Sequence, residues 1–480
     1  MKKTTVAIVG GGFCGTLAAI RLLTAGKRGD ASLPFGSRIV LIEPARPGQG
    51  LAYRAGPDYW RLNVPAARMS AFTGRPADFF EWAHARDPQV QPDDFLPRAW
   101  YGDYIADRLA LAKQRSPRWL GFEHVRARAI GLEVEDGVAT ITLSNGALVE
   151  ADRVLLALGN SPMAAPVPEA PDAVADAWNL DWMESLPAYV PRVLLVGTGL
   201  TMIDIALDIA EKRPDARILA ISRHGLLPRL HEDAQGKPPA FHARKLLARG
   251  ALHQRLRQFR AHVASSAGRG DWRAALRSVR EVMPELWQAA PQRSRRRFLR
   301  HLRAWWDVHR HRVSRPTFSR IDELKRRSRL AIEPGRIVET RRIRDGIVVS
   351  WHRRGSPSLR QDLVDVVVNV TGPDSNPIRS GCPLVQSLLS EGLCRPDDLR
   401  LGWETDDEGR LVAADGQASE VLYYAGPLLR ARHWEATAVP ELRTHVDQTA
   451  AAIAASLATS AGSYVRKLAA PLFRREAAVF

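Results

Sequence analysis

The first forty residues alternate between short apolar runs and a glycine-rich turn. Residues 5–9 form a β-branched run, and a glycine cluster follows at residues 10–15. Apolar positions then recur with helical spacing over residues 17–23, and residues 38–43 form a second apolar run. Strand, glycine turn, helix and strand in this order predict a βαβ unit that begins at the start of the chain.

A second unit of the same kind begins near the middle of the chain. Residues 192–197 are an apolar run that ends in glycine, a helical pattern covers about 202–209, and another apolar run covers 217–221. Two βαβ units predict an α/β fold with two Rossmann-like dinucleotide-binding domains. Shorter signals predict further elements, namely a strand at 139–143 with a hairpin turn at Asn145-Gly146, strands at 347–349 and 364–370, and a last helix near 446–457.

Two more apolar strands run into glycine, one ending at Gly159 and one at Gly372. They follow the first and the second βαβ unit, so we expect them to be the points where the chain crosses between domains. The expected boundaries are 1–190 and 340–480 for the first domain and 191–340 for the second. A helical insertion rich in Arg and Trp is expected at about 241–330.

The first glycine motif has the spacing of a dinucleotide-binding turn. Gly10 permits the tight turn, Gly12 lets the backbone approach a pyrophosphate, and Gly15 lets helix and strand pack closely. The helix N-terminus supplies N–H groups for phosphate. Glu43, at the end of the next strand, is the candidate acceptor for the ribose hydroxyls.

The second motif keeps Gly197 and Gly199, but Met202 stands where the third glycine would be. No acidic residue follows the next strand to bind a ribose 2′-hydroxyl. Arg223 is there instead, and a guanidinium suits a 2′-phosphate, which favours NADPH over NADH. A surface arginine with no ligand is the alternative interpretation.

Composition excludes several classes of protein. Hydrophobic residues at 45% and charged residues at 25% are ordinary for a globular chain, and no apolar run approaches the length of a membrane span. The net charge of +17 is concentrated in residues 241–330, which hold 24 Lys and Arg against six Asp and Glu. A solvated arginine-rich surface is the simpler explanation, attraction of an anionic ligand is the alternative, and nucleic acid is not an expected partner.

Cysteine and histidine usage gives no redox or metal motif. The three cysteines form no pair at redox or metal spacing, so we expect a cytoplasmic protein and exclude the disulfide reductases of this fold. His224, His231 and His242 have no metal-ligand companions and are expected at the surface. The tryptophans at 272, 287, 305 and 306 are expected in a core or an interface.

Four further segments resemble a known group of flavoproteins. They are residues 48–53 (GQGLAY), 62–69 (LNVPAARM), 97–104 (PRAWYGDY) and 368–373 (VNVTGP). They look like the FAD/NAD(P)-binding group that includes FAD-dependent urate hydroxylases and aspartate N-monooxygenases. The resemblance covers roughly residues 4–225 and 340–455, and it leaves the helical insertion unmatched.

The resemblance implies an enzyme that uses FAD, NADH or NADPH, and O₂. By position, the first glycine motif and Glu43 would hold the adenosine half of FAD. Asn63 and Pro65 would lie beside the isoalloxazine, and Gly426 would bring the N-terminus of the last helix towards it.

For the substrate, a small organic anion is expected. The leading hypothesis from the resemblance is urate, hydroxylated to 5-hydroxyisourate within purine metabolism, with Arg98 or Arg432 facing its carbonyl edge. The first alternative is N-hydroxylation of a small amino acid such as aspartate. The second alternative is a flavin-bearing redox or binding protein without monooxygenase activity.

Overall fold

A computed structural model describes residues 4–25, 31–161, 174–177, 180–232, 243–244, 252–265 and 272–469. The chain divides into two compact units. Unit 1 comprises Met1–Asp58, Val64–Ser161 and Ser375–Phe480, and unit 2 comprises Tyr59–Asn63 and Pro162–Asp374. The chain therefore leaves unit 1 just after Gly159 and leaves unit 2 just after Gly372, as the two glycine-terminated strands predict.

The α-helices of the described residues are α1 Phe13–Thr24, α2 Asp78–Arg86, α3 Arg98–Arg115, α4 Leu200–Lys212, α5 Leu252–Ser265, α6 Trp272–Glu281, α7 Met283–Gln288, α8 Gln292–His301, α9 Arg303–Arg310, α10 Arg315–Arg326, α11 Pro383–Ser390 and α12 Val439–Ala469. The strands are β1 Thr5–Val9, β2 Arg38–Ile42, β3 Gly121–Val125, β4 Ala129–Glu135, β5 Val138–Leu143, β6 Leu148–Ala151, β7 Arg153–Leu156, β8 Val174–Asp176, β9 Arg192–Val196, β10 Arg217–Ser222, β11 Leu330–Ile343, β12 Gly346–Arg353, β13 Leu359–Val364, β14 Val366–Asn369, β15 Arg410–Val412 and β16 Ala418–Tyr424.

Unit 1 is built on a six-stranded sheet in the order β15-β16-β7-β1-β2-β3. All its neighbouring strands are parallel except β15 and β16. Every residue of β1 is buried, which explains its continuous apolar run. The separate sheet β4-β5-β6 is antiparallel, and its β5–β6 hairpin turns at the predicted Asn145-Gly146.

Unit 2 is built on a seven-stranded sheet in the order β13-β12-β11-β10-β9-β14-β8. Strands β9, β10 and β14 pair in parallel, and α4 contributes to the core between the sheet and α10. The sheet corrects both expected domain boundaries, at residues 190 and 340. Strand β8 pairs with β14, so the chain enters unit 2 before residue 190. Residues 340–374 belong to unit 2 because β11 continues antiparallel into β12 and β13, and β14 pairs with β9.

Within its described residues, the basic insertion at about 241–330 is helical, as predicted, and contains α5 to α10. Its surface is charged and its inner face is apolar. Trp287 is 4% exposed, whereas Trp305 is 44% exposed, so the tryptophans are not all core residues. Within the part of the chain that the structure describes, no helix has both the length and the hydrophobicity to cross a membrane.

Candidate cofactor sites

The first glycine motif forms the turn between β1 and α1. Gly10 has φ +98°, and a Cβ there would lie 2.4 Å from the carbonyl oxygen of Ala157. A Cβ at Gly15 would lie 1.8 Å from the carbonyl oxygen of Gly10. Both positions therefore require glycine, because the turn, the helix and the neighbouring strand β7 approach within backbone contact.

Gly12 is different from the other two glycines, because its space is open. It caps α1 with φ −69°, and the nearest atom to an added Cβ is the Cα of Gly50, at 3.6 Å. No side chain caps the first turn of α1. The N–H groups at the start of the helix therefore have open space beside Gly12, an arrangement that suits a pyrophosphate.

Glu43 braces this turn. Its Oε2 accepts a hydrogen bond from the backbone N–H of Gly11 at 2.7 Å, and its Oε1 accepts one from that of Ala45 at 3.0 Å. The half-buried carboxylate thus connects the end of β2 to the glycine turn. A role towards a ribose is compatible with this position, since each carboxylate oxygen accepts more than one hydrogen bond.

A second glycine-containing loop supports the first, which the sequence did not predict. The N–H of Gly48 lies 2.8 Å from the carbonyl oxygen of Gly11 and 2.9 Å from Oγ1 of Thr16. Gly50 approaches Gly12, as noted above. The GQGLAY segment that carries part of the resemblance is therefore a structural partner of the phosphate turn.

Gly159 and Gly426 lie at the same edge of the sheet as Gly10. Gly159 follows β7, the neighbour of β1, and Gly426 follows β16, the neighbour of β7. The expectation that Gly426 directs the last helix is wrong. Gly426 instead begins the short 3-10 helix Pro427–Ala431, and α12 begins only at Val439.

Asn63 and Pro65 fall on either side of a unit boundary. Asn63 is the last residue of the short segment assigned to unit 2, and Pro65 belongs to unit 1, where it precedes the 3-10 helix Ala66–Arg68. Asp208 holds the segment Tyr59–Asn63 in unit 2. Its Oδ1 accepts a hydrogen bond from the hydroxyl of Tyr59 at 2.6 Å and another from the indole N–H of Trp60 at 3.1 Å. Burial raises the pKa of Asp208.

The two candidate arginines have different surroundings. Arg98 begins α3 and lies close enough to half-buried Tyr53 to oppose the rise that burial causes in the pKa of that phenol. Arg432 donates to the carbonyl oxygen of Thr405 at 3.1 Å and forms an ion pair with Asp407. The guanidinium of Arg432 is therefore engaged within unit 1, which weakens its candidacy for substrate.

The second glycine motif forms the turn between β9 and α4. Gly197 has φ +123°, and a Cβ there would lie 2.6 Å from the carbonyl oxygen of Val370, so glycine is required. Gly199 caps α4 and has open space around it. Met202 is fully buried in the core of unit 2. Its side chain packs there, which explains why this position is not occupied by a third glycine.

A cavity of about 930 Å³ opens in front of this turn. Its wall includes Gly197, Gly199, Arg223 and Thr371, the residue before Gly372. Oγ1 of Thr198 contacts Oγ of Ser222 at 2.8 Å and donates to the carbonyl oxygen of Leu226 at 2.6 Å, so the two loops that form the wall are connected. This volume is within the range of small-molecule and cofactor sites.

Positive charge gathers at one side of the cavity. Arg223, His224 and Arg336 line it, and Arg354 contacts Nδ1 of His224. Burial, Arg354 and Arg223 lower the pKa of His224. The sequence marks Arg223 as a candidate, but no motif marks Arg336, which lies on β11, or Arg354, which directly follows β12.

Helix α9 of the insertion forms another part of the same wall. Ala304, Asp307 and Val308 line the cavity. The carbonyl oxygen of Val308 accepts from the N–H of Arg229, and Arg229 in turn accepts from Val313, so the backbone after β10 holds the helix in place. The insertion is therefore part of the candidate nucleotide site.

Histidines and acidic residues form no metal site in the residues that the structure covers, where no group of three potential ligands comes together. His231 donates its backbone N–H to the carbonyl oxygen of Val313, and His242 lies outside the described residues. The three cysteines are free, and burial raises the pKa of Cys14 and of Cys394 to about 12.

Comparison with known proteins agrees with this geometry. Residues 7–161 match the model of a family described as FAD-NAD(P)-binding. The chain is 30% identical over 175 residues to nitrosuccinic acid synthase of Aspergillus oryzae, a match that covers 33% of this chain and 26% of the relative. The matched part is thus about a quarter of the length of that relative.

Solved structures with the same fold extend over nearly the whole chain. Ornithine hydroxylase of Pseudomonas aeruginosa is similar with a TM-score of 0.63 and 15% identity, over 95% of this chain and 100% of that one. L-lysine 6-monooxygenase of Pseudomonas syringae is similar with a TM-score of 0.62 and 17% identity, over 95% and 99%. Residues 7–161 are therefore similar to FAD-NAD(P)-binding domains, and the chain as a whole has the fold of the flavoproteins with two dinucleotide-binding domains.

Proposed function

We propose that the protein is a flavin-dependent monooxygenase that N-hydroxylates a small amino acid, with aspartate as the first candidate. The observation that carries the proposal is the pair of glycine turns, one in each unit. Each has the backbone geometry of a dinucleotide site, and the second has an open cavity in front of it. One unit would hold FAD and the other a nicotinamide nucleotide.

The relatives support N-hydroxylation over the urate hypothesis. The structures similar to this chain include an ornithine N-hydroxylase of Kutzneria and L-lysine 6-monooxygenase, and the curated relative is named for nitrosuccinic acid. Nitrosuccinic acid has the carbon skeleton of aspartate with the amino nitrogen oxidised. The relatives named above give no support to urate hydroxylation or to a place in purine metabolism.

Different residues of the chain would bind FAD, the nicotinamide nucleotide and the substrate. Gly10, Gly12 and Gly15, with the first turn of α1, would hold the FAD pyrophosphate, and Glu43 would hold the turn and the ribose. Gly197, Gly199 and the Arg223 side of the cavity would hold the nicotinamide nucleotide. Arg98, at the start of α3, is the candidate for the substrate carboxylate.

The overall reaction balances with the cofactors proposed. The amine, O₂, NADPH and a proton give the hydroxylamine, water and NADP⁺, so one oxygen atom enters the N–O bond and the other leaves as water. FAD held at the glycine turn of unit 1 would supply the hydride and O₂ chemistry. The protein's contribution is to bind the substrate amine in its neutral form and to keep water away from it.

The purified FAD-loaded protein should be incubated with NADPH and, separately, with aspartate, ornithine, lysine and urate. We expect a hydroxylated product from aspartate, with NADPH consumption that rises above the substrate-free rate. Hydroxylation of ornithine or lysine instead would correct the substrate. Product from urate alone would overturn the proposal in favour of the urate hypothesis.

A disulfide reductase is disfavoured by the cysteines. A reductase of this fold requires two thiols close to the flavin, and burial raises the pKa of two of the three cysteines, Cys14 and Cys394, to about 12. Neither thiol is therefore disposed to act as a thiolate nucleophile near neutral pH.

A further inference from the structure

The helical insertion encloses a second cavity, separate from the nucleotide cavity of unit 2. Helices α5 to α9 surround a volume of about 590 Å³. That size is typical of pockets that bind small organic molecules. The cavity has no counterpart in the sequence motifs and no part in the proposed reaction.

The wall of this cavity is almost entirely apolar. It includes four of the chain's thirteen tryptophans, with Phe259 and Phe298 between them. Helix α5 contributes Leu252, Leu256, Phe259 and Val263 at spacings that place them on one face. These four side chains are only half-buried, so apolar surface in the hollow remains in contact with water.

The charged residues of the wall are all basic. The cationic side chains are Arg255, Arg260 and Arg295, the imidazole of His309 also lies in the wall, and among the described lining residues there is no Asp or Glu. Arg295 is positioned by the wall itself: its guanidinium lies 5.3 Å from the ring centre of Trp287 and donates to the carbonyl oxygens of Ala290 and Gln288, each at 3.0 Å. An apolar hollow with basic residues fits a ligand with an apolar body and an anionic head.

Helix α9 separates the two cavities of unit 2. Its residues Trp305, Trp306 and His309 line the apolar cavity, whereas Ala304, Asp307 and Val308 line the nucleotide cavity. The two sets alternate with helical periodicity, so each cavity is lined by its own face of the helix. A ligand of the apolar cavity would therefore be distinct from the nucleotide.

We propose that the insertion is a binding site for an amphipathic carboxylate, with a medium-length acyl chain in the apolar cavity and the carboxylate at the arginines. Burying the half-exposed apolar stripe of α5 against the acyl chain supplies the binding free energy. The arginines select the sign of the head group. This inference does not rest on the proposed monooxygenase activity.

The test is direct binding to the FAD-loaded, full-length protein. Dodecanoate should be titrated below its micelle-forming concentration, with equilibrium dialysis to count sites and tryptophan fluorescence to report the cavity. We expect one saturable site and a rise in Tm as the ligand is added. Dodecyltrimethylammonium, with the same chain and the opposite charge, should bind at least about fivefold more weakly, since the wall carries only cations.

Matched variants locate the site. Arg260 and Arg257 are both exposed residues of α5, but only Arg260 lines the cavity. Arg260→Glu should weaken dodecanoate binding about fivefold, and Arg257→Glu should leave it near the wild-type value. Leu256→Trp should fill the hollow and abolish binding, with helix content and flavin content unchanged.

Three results would overturn the proposal. The first is the absence of saturable binding of dodecanoate. The second is equal weakening by Arg260→Glu and Arg257→Glu, which would indicate only a general effect of charge. The third is a dimer in sedimentation analysis that Leu256→Trp dissociates, because the hollow would then belong to a second copy of the chain.

Discussion

The N–H of Gly11 donates a hydrogen bond of 2.7 Å to Oε2 of Glu43, and this contact connects the phosphate turn of unit 1 to the end of β2. The carboxylate therefore positions the turn as well as being a candidate for the ribose. The other carboxylate oxygen of Glu43, Oε1, accepts a hydrogen bond from the backbone N–H of Ala45, so both oxygens of the side chain are engaged.

Replacing Glu43 tests whether its hydrogen bonds to the glycine turn support FAD binding. In Glu43→Gln one oxygen becomes an amide NH₂, which faces a backbone N–H and cannot accept its hydrogen bond. We expect the Kd for FAD, measured by titrating the apoprotein, to rise about tenfold. Glu133→Gln, an exposed change on β4, is the matched control. An unchanged Kd in Glu43→Gln would remove Glu43 from the cofactor site.

Gly12→Val tests the phosphate cradle without disturbing the fold. Any residue can adopt the backbone angles of Gly12, and the surrounding space is open. The apoprotein should therefore keep the Tm of the wild type. The valine side chain would occupy the cradle, and the purified protein should contain no flavin. Gly74→Val, at an exposed and equally open position, should retain its flavin. Full flavin occupancy in Gly12→Val would mean that the pyrophosphate lies elsewhere.

Arg223→Ala tests the choice of nicotinamide nucleotide. If the arginine binds the 2′-phosphate, the KM for NADPH should rise at least about tenfold while the KM for NADH stays constant. Arg217→Ala, at the opposite end of β10, should change neither value. Equal effects on the two nucleotides would argue against a contact with the 2′-phosphate.

The His433–His445 pair predicts a loss of stability in mild acid. The rings lie 4.2 Å apart, and burial, His445 and Arg432 lower the pKa of His433 to about 4, although Asp407 opposes the shift. The unfolded chain protonates this group below pH ~6.5, whereas the folded protein resists until about pH 4. Stability should therefore fall as the pH decreases across this window.

Removing the titrating ring should flatten that dependence. We expect the Tm of His433→Asn to fall less steeply than that of the wild type between pH ~6.5 and about 4, as followed by thermal denaturation. Parallel curves for the two proteins would show that other groups control acid unfolding.

Local pattern was sufficient for the two glycine turns and the elements around them. The strand at residues 5–9 and the glycine-terminated strands before Gly159 and Gly372 were predicted from apolar runs, because buried parallel strands have continuous hydrophobic sequences. The position of residues 340–374 was not predictable in this way. Their unit is decided by the pairing of β12 with β11 and of β14 with β9, which depends on residues distant in the sequence.

The candidate sites show the same limit. Gly12 and Arg223 were identified because a motif or a strand end places them. The engagement of Arg432 by Asp407 and the contribution of α9 to the nucleotide cavity arise from tertiary contacts. No spacing in the sequence encodes those contacts, because they depend on the packing of segments that are distant in the sequence.

The central claim is that the protein transfers an oxygen atom from O₂ to an amine. The most direct measurement is turnover of aspartate with NADPH under O₂ of the heavy oxygen isotope, followed by mass spectrometry of the product and by comparison with NADPH consumed. We expect N-hydroxyaspartate that carries one heavy oxygen atom, in amounts that follow NADPH oxidation. NADPH oxidation that yields only hydrogen peroxide with every amino acid offered, or a product without the heavy isotope, would contradict it.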